Sequence, residues 1–275
     1  MAEKTGNTKA GSRPDIATLV GLLVALGGIV GGLILEGGEI GEILKPTALM
    51  IVLGGTLGAV MVTTPMNVLI GSLKKMGLVF FDRAQSTESI IDEIIGYASK
   101  ARKNGIVSLE QDADSVSEPF LKKAMNLAVD GTDLQEIRKM MELEISLEEH
   151  HAEAEAKVME AAGGYAPTIG IIGAVLGLIQ VMKNLADIEE VGKGIATAFV
   201  ATIYGVGFAN IFFLPAGNKI KARAQKTIQL KELMLEGVIG IVEGLNPKLI
   251  RGKLEAYLHS EKGGAKQKGK AESKV

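Results

Sequence analysis

The chain has 275 residues, 47% of them hydrophobic, and a mean hydropathy of +0.26 although 23% are charged, so apolar and charged residues must be segregated into blocks. It has no cysteine, which excludes disulfides, thiolate metal sites and a cysteine nucleophile. A net charge of −2 leaves no electrostatic footprint for nucleic acid. Glycine is abundant at 35 residues, with no collagen period or Gly/Ser linker to explain it.

Four apolar runs reach the roughly 20 residues needed to cross a hydrocarbon core: Ile16–Leu35, Thr47–Ile70, Tyr165–Met182 and Ile195–Leu214. The first follows "SRPD" and lacks an A-x-A cleavage site, so it predicts a retained span rather than a secretory signal. Flanking cations set the orientation. Lys4, Lys9 and Arg13 precede the first run, Lys74, Lys75 and Arg83 follow the second, and Lys219, Lys221, Arg223 and Lys226 follow the fourth. The two short connections, "EGGEIGEILKP" and "KNLADIEEVGKG", are acidic, with only Lys45, Lys183 and Lys193 as cations. Both termini and the large middle segment are therefore expected in the cytoplasm.

The middle segment reads as helices. Ser86 caps a helix with Ile90, Ile91, Ile94, Ile95, Ala98 and Ala101 at helical spacing, stopped by Asn104-Gly105. The stretch "IVSLEQDADSVS" (106–117) reads as irregular, and a brief helix follows around Phe120 to Val129. Thr132 and Gln135 match a capping box and open a long acidic helix that runs to Gly163-Gly164 and leads into the third span. Beyond the fourth span, Ile220, Ala224, Ile228, Leu233, Val238 and Ile241 continue the helical pattern to Asn246-Pro247. A short helix carries Leu249, Ile250, Leu254 and Leu258, and the lysine-rich tail from Lys262 has no core-forming residue and is expected to be disordered.

The predicted fold is all-α: a polytopic membrane protein with four transmembrane helices and a cytoplasmic helical domain. Its expected divisions are a cytoplasmic N-terminus (1–15), spans 1 and 2 (16–72), a cytoplasmic helical domain (73–164), spans 3 and 4 (165–216), C-terminal helices (217–260) and a basic tail (261–275).

His151 and Glu155 share a helix face and could begin a metal site, but His150 and His151 point different ways in acidic surroundings, which reads as a solvated face. The small residues are more informative. Gly27/Gly31, Gly28/Gly32, Gly54/Gly58, Gly170/Ala174, Gly173/Gly177 and Ala201/Gly205 are each spaced by four, which lets helix backbones approach closely. Packing within one chain would use such faces. Their presence in every span predicts that some also pack between chains. None of the four runs holds an Asp, Glu, Lys, Arg or His away from its ends. Their polar groups are hydroxyls and amides such as Thr56, Thr168, Thr202, Tyr204 and Asn210. A proton-relaying transporter needs a buried carboxylate, so this chain either transports nothing or works with a partner span that supplies one. Without an Asp pair, a Cys or a His cluster in the spans, an intramembrane enzyme is not indicated.

Four spans with a large insertion between the second and third resemble the MotA/PomA family of flagellar motor stator subunits, which is related to ExbB/TolQ. The segment "ARKNGIVSLE" (101–110) resembles the family's rotor-facing segment, "YAPTIGIIGAVLGLIQ" (165–180) its third span, and "TAFVATIYGVGFANIFFLPAGNKI" (197–220) its fourth. The resemblance implies a bacterial inner-membrane pentamer around a dimer of a single-span, MotB-type partner that supplies the membrane aspartate, with no cofactor or metal. It implies an ion pathway involving Thr202, Ala174, Phe199, Pro167 and Pro215. Arg102 and Glu110 would push the rotor switch protein FliG. A hydroxyl at Thr202 can orient water beside a carboxylate without adding charge. Pro167 and Pro215 remove backbone donors and can act as hinges, although a proline after Gly163-Gly164 would equally suit a helix first turn. Sodium-using relatives carry Thr where this chain has Ala174. One oxygen fewer predicts proton coupling. The alternatives are an ExbB/TolQ-type energiser, which has fewer spans, and a non-conducting membrane scaffold.

Overall fold

The structure, a computed structural model, describes residues 13–82, 86–116 and 118–257. It is all-α. The helices are α1 (Ile16–Leu35), α2 (Ile40–Ile43), α3 (Pro46–Thr63), α4 (Met66–Leu78), α5 (Thr87–Asn104), α6 (Glu110–Ser115), α7 (Pro119–Val129), α8 (Leu134–Lys183), α9 (Ile188–Gly207), α10 (Leu214–Val242) and α11 (247–257). A 3-10 turn, Ile106–Leu109, precedes α6, and a π turn, Phe208–Phe213, joins α9 to α10. The extended pairing among the described residues is a two-residue antiparallel bridge, Arg13 with Asp82 and Pro14 with Phe81. Four helical segments are long and apolar enough to cross a membrane, by length and composition: α1, α3, α8 and the run from α9 through α10. The chain divides into two compact units, residues 1–83 with 151–223, and residues 84–150 with 224–275. The expected tail lies outside the described residues.

Several helix boundaries differ from expectation. The second apolar run breaks at Thr64-Pro65, because proline lacks a donor and disfavours helical backbone in the residue before it; Thr64 is extended, with φ −127° and ψ 131°. No helix boundary falls at Gly163-Gly164. α8 passes straight through these glycines, and Pro167 lies inside it rather than in a first turn. Asp133, not Thr132, caps α8: its Oδ1 accepts the Gln135 N–H at 2.9 Å and its carbonyl accepts from Ile137. α9 starts at Ile188, seven residues before the expected run, because Asp187 accepts from the Glu189 and Glu190 N–H groups as an N-cap. The stretch read as irregular holds a 3-10 turn and α6.

In the first unit α1 buries none of its residues. Its position is fixed from its start. Asp15 N-caps the helix at Thr18, and its carboxylate, 11% exposed, pairs with Lys219 at 2.6 Å and Arg223 at 2.9 Å. Arg223 also donates to the Leu78 carbonyl and, at 2.8 Å, to the Phe81 carbonyl, while the Asp15 N–H donates to Phe80. One guanidinium thus ties together the start of α1, the end of α4 and the base of α10. α3 buries Ala48, Val52, Thr56 and Val60, one residue per turn along a single face. Tyr204 of α9 fixes the loop before α3 by donating to the Ile43 carbonyl at 2.6 Å and accepting from the Lys45 N–H at 3.3 Å.

In the second unit, α5, α7, the first part of α8, the later part of α10 and α11 enclose a core that includes Ile94, Leu121, Met125, Met141, Leu233 and Leu254, all fully buried. Burying each large aliphatic side chain contributes about 1.5–3 kcal/mol.

Candidate ion seam and charged corner

Within the first unit, α8 and α9 meet along a seam of small residues. A β-carbon on Gly177 would lie 2.9 Å from the Ala198 nitrogen and the Gly194 oxygen. One on Gly170 would lie 2.9 Å from the Ala201 oxygen, and one on Gly205 2.6 Å from the Ala166 oxygen. These are backbone contacts that no side-chain rotation can relieve. The Gly173/Gly177 and Ala201/Gly205 faces are therefore used inside the chain. The Gly27/Gly31, Gly28/Gly32 and Gly54/Gly58 pairs have open space instead, with no atom within 4 Å of an added β-carbon.

The seam sorts the anticipated pathway residues. Ala198 and Ala201 are buried in it, while Phe199 stands out at 68% exposure. Helical spacing puts Thr202 between the two faces, and it is half-buried, its hydroxyl donating to the Ala198 carbonyl at 3.2 Å. That bond leaves the Thr202 oxygen free to accept. On α8, half-buried Ala174 follows Gly173, whose open side is closed by Ala201 and by Ile51 of α3. α3 also meets α8 where its Gly55 faces Ile169, and meets α9 where its Ala48 packs with Val200 and Tyr204. Ala174 and Thr202 therefore flank the seam on the side turned away from α3.

Pro167 lies inside α8, and Pro215 follows the π turn. Pro167 has no N–H for the Gly163 carbonyl, and Gly163 accepts Leu214 in the space a β-carbon would fill, at 2.5 Å. Leu214 is the residue before exposed Pro215 and directly after the π turn. A π turn offers the donor shift that a proline one turn on requires. Sequence periodicity carries no signal for it.

In the second unit, α5 ends at Gly105, whose φ of +82° reverses the chain. The 3-10 turn folds back onto α5, anchored by fully buried Leu109, and α6 begins at Glu110. Arg102 in the last turn of α5 and Glu110 in the first turn of α6 are both exposed, each at the helix end that suits its charge. Val107 projects between them at 64% exposure. Of the neighbouring charges, Lys103 is exposed as well, whereas Lys100 is half-buried. Lys100 pairs with Asp112 at 2.6 Å. Glu118 is half-buried, and its carboxyl is pushed above the usual range by burial, with Lys231 opposing and the Glu148 and Glu93 charges adding. Lys231 pairs with Glu148 and lies 4.9 Å over the ring of Phe120.

Among the histidine cluster, His150 and His151 are exposed, but Glu155 is not on a solvated face. Its side chain is 18% exposed and pairs with Lys75 at 2.6 Å. The space comes from Gly71, where a β-carbon would lie 2.2 Å from Glu155 Oε1, and Ser72 donates to the Glu155 carbonyl at 2.8 Å. Nothing in the sequence near Glu155 announces the glycine and serine that receive it.

The sequence is 33% identical to motility protein A of Bacillus subtilis over 245 residues, covering 89% of this chain and 91% of the relative. Residues 112–233 match the family model described as the MotA/TolQ/ExbB proton channel family, and residues 19–104 match the model for the motility protein A N-terminal region. The chain belongs to the MotA/TolQ/ExbB proton channel family. It is also 32% identical to the chemotaxis protein PomA of Vibrio alginolyticus, covering 90% of this chain and 97% of PomA. Its fold matches a chain of the flagellar MotAB stator complex from Bacillus subtilis with a TM-score of 0.82 at 33% identity, covering 89% of this chain and 96% of that one. In this chain the α8–α9 seam and the α5–α6 corner carry every site residue anticipated from sequence except Pro215, the second residue of α10.

Proposed function

We propose that the chain is a stator subunit of the bacterial flagellar motor in the inner membrane, with both termini cytoplasmic. It forms a homo-pentamer around a dimer of a single-span MotB-type partner, and protons pass between the two proteins. The observation that carries this reading is the composition of the face beside the seam. Thr202 offers an oxygen there, Ala174 leaves a small wall, Phe199 projects outward, and the four apolar runs hold no Asp, Glu, Lys, Arg or His away from their ends. Such a face suits a carboxylate contributed by another chain, because the Thr202 oxygen can accept from its neutral form while still donating to Ala198, and the hydroxyl can rotate to donate to its charged form. Pro167 and Pro215 flex the helices on either side as that charge changes. Arg102 and Glu110 present opposite charges on one corner and steer contact with FliG through complementarity. The match to the motility protein A N-terminal region, which includes the first two spans, favours this reading over an ExbB/TolQ-type energiser.

The test is deletion of the gene in its native bacterium with no second stator set present, followed by complementation. Filaments that assemble but do not rotate, rescued by the wild-type gene, support the reading. Normal rotation in the deletion strain overturns it.

A further inference from the structure

The second unit contains a feature with no part in conduction or in the charged corner. α8, α10 and α11 enclose an open groove of about 460 Å³. Its floor is apolar, with buried Ile145 and Leu235, and Tyr257 forms a wall. Its rim carries Glu142, Glu149, Glu232 and Glu236 against a single cation, Arg138. Arg138 reaches Glu142 at 3.5 Å and Glu236 at 4.0 Å, and Lys253 reaches Glu236 at 3.1 Å. Glu149 and Glu232 are exposed and have no ion-pair partner among the described residues. The lining thus carries one positive and four negative charges, a net of −3.

The chain continues from the groove wall itself. Tyr257 is the last described residue. The following 18 residues, 258–275, hold Lys262, Lys266, Lys268, Lys270 and Lys274 against Glu261 and Glu272, five positive and two negative side chains for a net of +3. Lys262 is five residues beyond Tyr257, within about 17 Å when extended. A segment tethered at the wall of a groove of opposite charge meets it at an effective concentration on the order of millimolar.

We infer that the lysine-rich segment 258–275 docks into the acidic groove of its own chain, with its lysines on Glu149 and Glu232. The docking is electrostatic and reversible. Bound there, the segment covers the exposed side of the α8–α10 contact and neutralises the acidic surface that other basic partners would otherwise meet. It depends only on the second unit and stands apart from the motor reading.

The absence of native cysteine makes a cross-linking test clean. Ser146→Cys places a thiol in the groove and Ala265→Cys places one in the segment, in the full-length protein held in nanodiscs with its partner. Oxidation at low salt is expected to close an intramolecular disulfide roughly tenfold faster than in the same protein with Lys262, Lys266 and Lys268 changed to Gln. The advantage is expected to vanish in 1 M salt, where the screening length falls to about 3 Å. Glu149→Lys with Glu232→Lys is expected to abolish it, and reversing the segment lysines to Glu in that background is expected to restore it. Rates indifferent to the lysines or to salt overturn the proposal. So do disulfides that form only between chains.

Discussion

Leu214 rests on the backbone of Gly163: a β-carbon on Gly163 would come within 2.5 Å of Leu214 Cδ2 and 2.6 Å of its Cγ. The same glycine is the residue whose carbonyl Pro167 leaves without an α-helical donor, and Leu214 is the residue joining the π turn to Pro215. The irregularities of two helices are thus packed against each other. Gly163→Val should therefore cost about 1–3 kcal/mol through overpacking and reduce rotation. Adding Leu214→Ala to Gly163→Ala should recover most of the stability that Gly163→Ala alone loses, because the blocking atoms belong to a side chain. Thermal unfolding of the purified complex measures both, and equal melting of single and double variants would remove the contact from the account.

Gly205 has no such escape. Its added β-carbon would face the Ala166 oxygen at 2.6 Å and the Gly170 Cα at 3.0 Å, both backbone. Gly205→Ala is expected to separate α8 from α9 and to lower stability by at least as much as Gly163→Ala, about 1–3 kcal/mol, with no second-site alanine at Leu214 restoring it. The amount of folded protein in membranes and its melting temperature report this directly.

Two carboxylates predict opposite pH dependences. The hydrogen bond from Lys219, reinforced by the Thr18 N–H and by Arg223, holds Asp15 far below the usual carboxylate range. Its folded pKa is depressed, so its contribution is present above the unfolded value of about 3.9 and is lost progressively as pH falls from there through the folded value. Asp15→Asn should lower stability at pH 7, by about 1.5–3 kcal/mol if one hydrogen bond to a charged group is lost, and the deficit should shrink on acidification. Glu118 is raised by burial. Its ionisation opposes folding, so stability falls as pH rises from its unfolded to its folded value. Glu118→Gln should flatten that fall and leave the acid side unchanged. Melting curves from about pH 2 to about pH 8 separate the two, and a Glu118→Gln protein that keeps the wild-type slope would contradict the burial assignment.

Swimming speed should be indifferent to external sodium, because Ala174 adds no oxygen beside Thr202 for a hard cation that needs several. Thr202→Ala should stop rotation without loss of folded complex, whereas Thr202→Ser, which keeps the hydroxyl, should retain most of it. Tethered-cell rotation in sodium-free and sodium-rich buffer reads both. A speed that rises with sodium would reverse the assignment of the ion.

Helix α5 shows how much was legible locally. Ser86 and Asn104-Gly105 bracket it in the sequence and in the structure, since a cap and a positive-φ glycine are decided by a few neighbouring residues. Gly163-Gly164 shows the opposite. Two adjacent glycines weaken a helix by local propensity, but α8 carries on through them because Leu214 occupies the space beside Gly163. The break that does occur, at Pro65, was readable from proline chemistry but was hidden by an uninterrupted apolar run. The acidic neighbours of Glu155 point to a solvated face, and they say nothing of Gly71 and Ser72, more than 80 positions away.

The sequence by itself determined the four apolar segments, the lack of a charge within them and the residue types at the pathway and the corner. These follow from sums over neighbouring residues: hydropathy over a span, flanking charge, caps. Only the tertiary structure decided which small residues close the α8–α9 seam and which stay open, that Thr202 lies at the seam's edge, that Asp15 and Arg223 fix a helix with no buried residue, and that an acidic groove ends at Tyr257. A helix presents all its faces in its sequence, and which face is covered depends on the helices that pack against it.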